Sequence, residues 1–313
     1  MTGGTAETTF VTGADGFIGR ALVRVLALRG HRVSALAGSA AAAALLRSSG
    51  AVPVLGDLSN PGPWQDEAGA DWVFHVPPYP ERGRYATRTR VNSVTRLRLA
   101  TDALLLDTLA ATATRRIVYV ADACCYGPTG NRPVTEDVPL RASIAGRCLA
   151  PALHRLDGYL IAGLPIVTAL PGLVYGDGSW FRERVIDPVT AGRRVIQFGR
   201  ADHWVSPIHV DDCARALVHL AEHGHSGSRY FVVNSTPTRV RDFAGIFARV
   251  TKRPLRDWRL PVAAARFVAG PILADYLRRD AVFSNIRLRG TGFRFEHLTL
   301  EDGVHQIVRA LDA

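Results

Sequence analysis

The sequence predicts an α/β protein built on a doubly wound parallel sheet, and three observations carry that prediction. Short apolar runs recur at 8–12, 32–37, 52–55, 72–76, 116–121, 166–170 and 230–234. Most are separated by stretches of helical periodicity, and strand–helix alternation of this kind gives parallel sheets with helices on both faces. The first run feeds directly into Gly13-Ala14-Asp15-Gly16-Phe17-Ile18-Gly19, a glycine loop between a strand and an amphipathic helix.

Glycines suit that loop because its turn needs conformations a Cβ blocks, because the backbone must approach a pyrophosphate closely, and because helix and strand pack tightly. Ile18, Leu22, Val25 and Leu26 form one helical face, Gly30 caps it, and the helix N-terminus turns free N–H groups toward phosphate. This loop predicts a dinucleotide cradle. The second run ends in Ala37-Gly38-Ser39, with neither the acid that grips a ribose diol nor the arginine that pairs with an extra phosphate. NAD and NADP both stay open, and the missing acid tilts the choice to NADP, with Ser39 or a nearby arginine as the phosphate contact. After the third run, Asp57 either accepts from an adenine amino group or caps the next helix. The alternation breaks at 176–205 and again after about 236. A Rossmann-type dinucleotide-binding domain (1–176, re-entered at about 205–236) is therefore expected, with a smaller C-terminal substrate lobe (177–204 and 237–313) closing a cleft over a small-molecule substrate.

At 313 residues the chain can bury a large core. Its first residues, MTGGTAETT, carry neither a basic region nor an apolar core, and no later stretch is long and unbroken enough to span a membrane. A soluble cytoplasmic protein is expected. The formal charge is +10, yet the arginines are scattered, without a basic block or aromatic platform, which argues against nucleic acid. Lys252 is the only lysine. Cys124, Cys125, Cys148 and Cys213 lack zinc-type spacing and read as reduced thiols, and no metal is expected. A homodimer stays open.

Further motifs are TGADGFIG at 12–19, GDL at 56–58, FHV at 74–76, YVADACCYG at 119–127, LPGLVYG at 170–176, IHVDD at 208–212 and GFRFEHLTLEDGV at 292–304. Over nearly the whole chain these resemble the extended or atypical short-chain dehydrogenase/reductase superfamily, in its epimerase and dehydratase-like branch. The resemblance implies that Gly13, Asp15, Gly16, Phe17, Ile18 and Gly19 hold the pyrophosphate, that Asp57 and Leu58 meet the adenine, and that His75, Val76 and Pro77 lie under the cofactor ribose. Pro171, Gly172 and Val174 would border the cofactor, and Tyr79, Cys124, Tyr175, His203 and Trp204 would line the substrate pocket. For His209 the alternative is structural: with Asp211 and Asp212 it would organise the start of the following helix.

The same resemblance implies a proton relay of a Ser or Thr after the fifth strand and a Tyr and Lys four residues apart on the next helix, the lysine lowering the phenol pKa. No tyrosine here has a lysine four residues on. Ala145 falls at the tyrosine position, Leu149 at the lysine position and Asp122 at the Ser/Thr position, while Asn92 lies too far from Tyr119 to match the relay asparagine. Ala145, Leu149 and Leu153 would share one apolar helical face, and Pro151 argues that the helix begins near Ala150. Asp122 is the leading replacement acid or base, because desolvation at a strand end raises a carboxyl pKa. Its alternative is a carboxylate satisfied by backbone N–H groups. Tyr126 is either an acid or a packed cleft wall. The expectation is thus an NAD(P)-binding enzyme of specialised metabolism with an altered active site, of reductase, epimerase or dehydratase type, since all three reactions can begin with hydride transfer. The alternatives are a non-redox isomerase or cyclase in the same cleft, and a cofactor-sensing protein without turnover.

Overall fold

The computed structural model describes residues 6–77, 88–140, 144–264, 267 and 280–312. Strands β1 (Thr8–Thr12), β2 (Arg32–Ala37), β3 (Val52–Leu55), β4 (Trp72–His75) and β5 (Arg116–Val120) alternate with helices α1 (Phe17–Leu28), α2 (Ala40–Ser48), α3 (Trp64–Glu67) and α4 (Arg88–Ala110). Next come β6 (Gly130–Val134), α5 (Ile144–Ile161), β7 (Ile166–Pro171), β8 (Leu173–Tyr175), α6 (Asp187–Thr190), β9 (Val195–Phe198), β10 (Trp204–Val205) and β11 (Pro207–His209). The chain continues through α7 (Val210–His223), β12 (Arg229–Val232), β13 (Thr238–Arg239), α8 (Asp242–Val250), β14 (Asp257–Leu260), β15 (Ala281–Phe283), α9 (Ile286–Gly290) and α10 (Leu300–Leu311).

Seven strands form one sheet in the order β12-β7-β5-β4-β1-β2-β3, all parallel. They are the seven runs expected, shifted by one or two residues at some ends. The strand order reverses between β1 and β4, so the crevice beyond their carboxyl ends is the ligand position of such sheets. Alternation along each strand sends Val11, Phe74 and Val118 to a core shared with α1 and α7. Phe10, Val73, Ile117 and Tyr119 enter the opposite core, which includes buried residues of α4 and α5. A third cluster, around Tyr175, Phe181 and Phe243, lies beneath α8 and α10. A four-stranded sheet, β13-β10-β15-β6, takes in β6 from the first half of the chain.

One expectation fails at α5, which runs from Ile144 with Pro151 inside it. An interior proline costs about 3 kcal/mol. Leu149, Leu153 and Leu156 are each at least 95 % buried, and buried leucines are worth about 2 kcal/mol apiece, so packing of that face outweighs the proline. Among the described residues no helix is long and apolar enough to cross a membrane.

Candidate functional site

The glycine loop is shaped by what it excludes. Gly13 sits at φ +61, and a Cβ there would lie 1.8 Å from the Val76 carbonyl oxygen. A Cβ on Gly19 would lie 2.1 Å from the Gly13 oxygen, while the Gly16 N–H donates back to that oxygen at 3.1 Å. Gly16 is the N-cap of α1, with no side-chain cap and no acid in the first turn. The N–H groups of Phe17, Ile18 and Gly19 therefore stay open to an anion, reinforced by the helix dipole. Asp15 is exposed at the loop's edge. A pyrophosphate fits this cradle.

Farther along the same edge, the Ser39 Oγ accepts from the Ala42 N–H at 3.1 Å and caps α2, leaving its own proton to donate. Asp57 is exposed, with Oδ1 taking the Ser59 N–H at 2.8 Å. Leu58 is half-buried against the second core. Val76 is buried and its N–H donates to the Thr12 carbonyl, with Pro77 half-buried beside it. Tyr79 lies outside the described residues.

His75 departs from expectation. Its backbone borders the cleft, but the ring is fully buried on the α4 face and cannot touch a ribose. The sheet register sets Thr12 opposite His75 and His75 opposite Tyr119, which aligns three polar side chains on one face. Thr12 Oγ1 lies 2.7 Å from His75 Nδ1, and His75 Nε2 lies 2.8 Å from Asp102 Oδ1. Arg98, one helical turn before Asp102, donates through Nε to Asp102 Oδ2 at 2.9 Å, through Nη2 to the Tyr119 hydroxyl at 2.6 Å and to the Val120 carbonyl at 3.2 Å. The Tyr119 hydroxyl donates to Asp102. Burial pushes the His75 pKa down and the Tyr119 pKa up, so both are neutral. Burial alone would raise Asp102, but its hydrogen bond from His75, the Arg98 charge and the Tyr119 hydroxyl outweigh that and hold it below the usual carboxylate range. The result is one enclosed Arg⁺–Asp⁻ pair with its remaining lone pairs occupied, the condition under which a buried pair is tolerated.

At the end of β5, Asp122 is half-buried and caps a short 3₁₀ turn, with Oδ1 accepting the Cys124 N–H at 2.7 Å. Both readings of this residue meet here. The backbone bond satisfies one oxygen, yet burial still lifts the carboxyl to about 6. Cys124 and Cys125 are buried, and the bond to Cys125, then burial, raise the Cys124 thiol, the reverse of an activated thiolate. Tyr126 takes its packing alternative: it is fully buried, its hydroxyl donates to the Glu136 carbonyl at 3.1 Å, and its ring meets Phe231 edge-on.

At the end of β7, Pro171 is buried and Gly172 packs so tightly that a Cβ would lie 2.2 Å from the Ser206 carbonyl oxygen. Half-buried Val174 accepts from Trp180 Nε1 at 2.9 Å. Tyr175 does not line an open pocket. It is fully buried, edge-on to Phe181, His209 and Phe243, with its hydroxyl where a Cβ on Gly303 would fall. His209 takes the structural alternative, its Nδ1 accepting the Asp211 N–H at the start of α7. Asp212 receives the Glu296 and His297 N–H groups and the His297 ring, and these bonds outweigh burial to hold it at about 2. His203 is half-buried, and Trp204 lies under the Arg239 guanidinium, 4.6 Å from its ring centroid. Leu173, Trp180, Val185, Phe198, Val240 and Phe243 line a small, partly open cavity of about 70 Å³. Gln197 also lines it, with a buried Oε1 that has no hydrogen-bond partner.

A glycine cradle at the reversal point of a parallel doubly wound sheet defines a dinucleotide-binding α/β protein. The model of the NAD-dependent epimerase/dehydratase family matches residues 9–234, and the chain belongs to that family. It is similar to the 4-hydroxy-2-methyl-3-oxo-4-farnesyl-3,4-dihydroquinoline-1-oxide ketoreductase of Stigmatella aurantiaca, with 28 % identity over 83 % of this chain and 78 % of that protein. In fold it is similar to the UDP-glucuronic acid 4-epimerase of Bacillus cereus in complex with NAD (TM-score 0.79, 16 % identity, 97 % and 96 % of the two chains). The human epimerase family protein SDR39U1 with NADPH gives a TM-score of 0.77 at 21 % identity, over 96 % and 99 % of the chains.

Proposed function

We propose that the chain is an NAD(P)-dependent oxidoreductase that reduces a carbonyl on an apolar small molecule, with Asp122 as the proton donor. The observation that carries this reading is a carboxyl raised to about 6 at the end of β5, on the same sheet edge as the glycine cradle. The open N–H groups of α1 would hold the pyrophosphate, and Ser39 would donate to a 2′-phosphate, which favours NADPH over NADH. The nicotinamide, when bound, supplies hydride transfer. Cys124 N–H fixes one Asp122 oxygen, so the other carries the proton toward a developing alkoxide. Asp122 would take the tyrosine's part as proton donor, while Leu149 and Leu153 of α5 are packed in the second core. The choice of an apolar substrate rests on the similarity to a relative whose name carries a farnesyl group and a ketoreductase activity.

The apolar α5 face favours a second reading, a non-redox isomerase or cyclase that keeps the cofactor as scaffold. Titration with NADPH and NADH, followed by nicotinamide absorbance with a panel of apolar ketones, separates the readings. Oxidation of NADPH by a panel member supports the reductase. Product formed without an absorbance change supports the second reading, and tight binding with no product at all would leave a cofactor sensor.

A further inference from the structure

We propose that His219, Glu222 and His223, on the last turn of α7, form a binding site for a divalent transition-metal ion of the zinc type, separate from the cofactor cleft. The sequence His219-Leu220-Ala221-Glu222-His223 places its three polar residues at helical spacings of three and four, so they share one side of the helix. Their ligand atoms all lie within 4.8 Å of one another, and the imidazole centroids are 4.5 Å apart. Two imidazoles and a carboxylate are a borderline-soft donor set suited to zinc, with at least one coordination position left for water.

The hydrogen bonds around His219 fix which nitrogen can bind. Its Nε2 lies 3.2 Å from the Thr291 carbonyl oxygen and 2.9 Å from Thr291 Oγ1. A carbonyl only accepts, and Thr291 Oγ1 already donates its proton to the Leu288 carbonyl at 2.6 Å. Both contacts therefore require Nε2 to carry hydrogen, which leaves the Nδ1 lone pair for a metal. A ligating histidine held through its other ring N–H by a backbone carbonyl is the usual supporting arrangement of such sites. One Glu222 oxygen is 3.7 Å from His223 Nε2, and the other is engaged by Arg29 Nη1 at 3.1 Å. Arg29 follows the last residue of α1 and precedes β2, so this corner is at the amino-terminal edge of the sheet, away from the strand ends that carry the glycine loop and Asp122. All three ligands lie on α7, and Thr291, which follows α9, holds the ring of one of them. The proposal departs from the expectation of no metal that the residue spacings give.

The test is calorimetric titration of the full chain, stripped by chelator, with zinc chloride. The wild type is expected to bind one ion saturably and to melt at a higher temperature when loaded. Glu222→Gln and His223→Ala each weaken binding about tenfold or more, the double substitution His219→Ala with His223→Ala abolishes it, and Arg29→Gln tightens it by removing a competing cation. His223 is 55 % exposed, so His223→Ala alone keeps the test sound should the double variant fold poorly. NADPH affinity stays unchanged in His223→Ala, which separates this site from the cofactor reading. Zinc binding of the same affinity and stoichiometry in His223→Ala, or no saturable binding to the wild type, overturns the proposal.

Discussion

The two walls of the cleft are built by opposite rules. On the β1–α1 side the backbone does the binding, and the glycines matter for the atoms they lack: a single Cβ on Gly13 would collide with Val76 at 1.8 Å. On the β4–β5 side a buried network beneath the cleft is built from side chains of separate elements, Thr12, His75, Asp102, Arg98 and Tyr119, which meet only after the strands are in register. A local shape is written in consecutive residues, whereas a network across strands and helix is not.

The largest effect that would test this contrast is expected at Asp102. Asp102→Ala leaves the Arg98 guanidinium enclosed without a counterion, and removing one partner of a buried pair costs about 3–5 kcal/mol, read as a lowered midpoint in urea. The double replacement Arg98→Met with Asp102→Leu should lose less than Asp102→Ala alone. A loss equal to the sum of the two single losses would deny that the residues act as a unit. Gly13→Ala comes next, at about 2 kcal/mol or more, because φ +61 and the Val76 contact both oppose it. NADPH affinity should fall with it, whereas Asp122→Asn should leave that affinity intact.

A smaller effect appears in the pH dependence of melting. Unfolded histidine binds a proton below its ordinary pKa of 6.5, but folded His75, pushed down by burial, does not. Stability therefore falls as pH drops below 6.5, with His209, lowered to about 4 mainly by burial, adding the same sign. Asp122 acts oppositely. Its folded pKa of about 6 lies above the ordinary 3.8, so its contribution is lost as pH rises from 3.8 to 6. Asp122→Asn should be as stable as the wild type or more so at neutral pH, and a clear loss would contradict the raised pKa. The smallest expected effect is at the edge of the cradle, where Ser39→Ala should weaken NADPH a few-fold and leave NADH unchanged, removing one neutral hydrogen bond of about 1 kcal/mol.

The sheet was legible because runs such as Phe10-Val11 and Ile117-Val118 are locally apolar and spaced by helical stretches. The helix α5 was not, because Pro151 is visible in the chain while the burial of Leu149, Leu153 and Leu156 is a tertiary fact. Tyr126 and Tyr175 read as cleft residues from their place after strands, yet the packed rings of Phe231, Phe181 and Phe243 enclose them. Arg98 and Asp102 left one usable trace: Asp102 shares a helical face with Leu105, Leu106 and Leu109, and an acid on an apolar face calls for a buried partner. That the partners would be His75, Tyr119 and Arg98 depends on strand register.

The central claim is that Asp122 donates the proton. Its most direct test is the single-turnover rate of NADPH oxidation, with an apolar ketone accepted by the wild type, in Asp122→Asn across pH. The wild-type rate should fall as pH rises through about 6, and Asp122→Asn should lose about 10²–10⁴-fold, with no such inflection and with NADPH binding unchanged. Full retention of the rate and of the same pH profile in Asp122→Asn would contradict it.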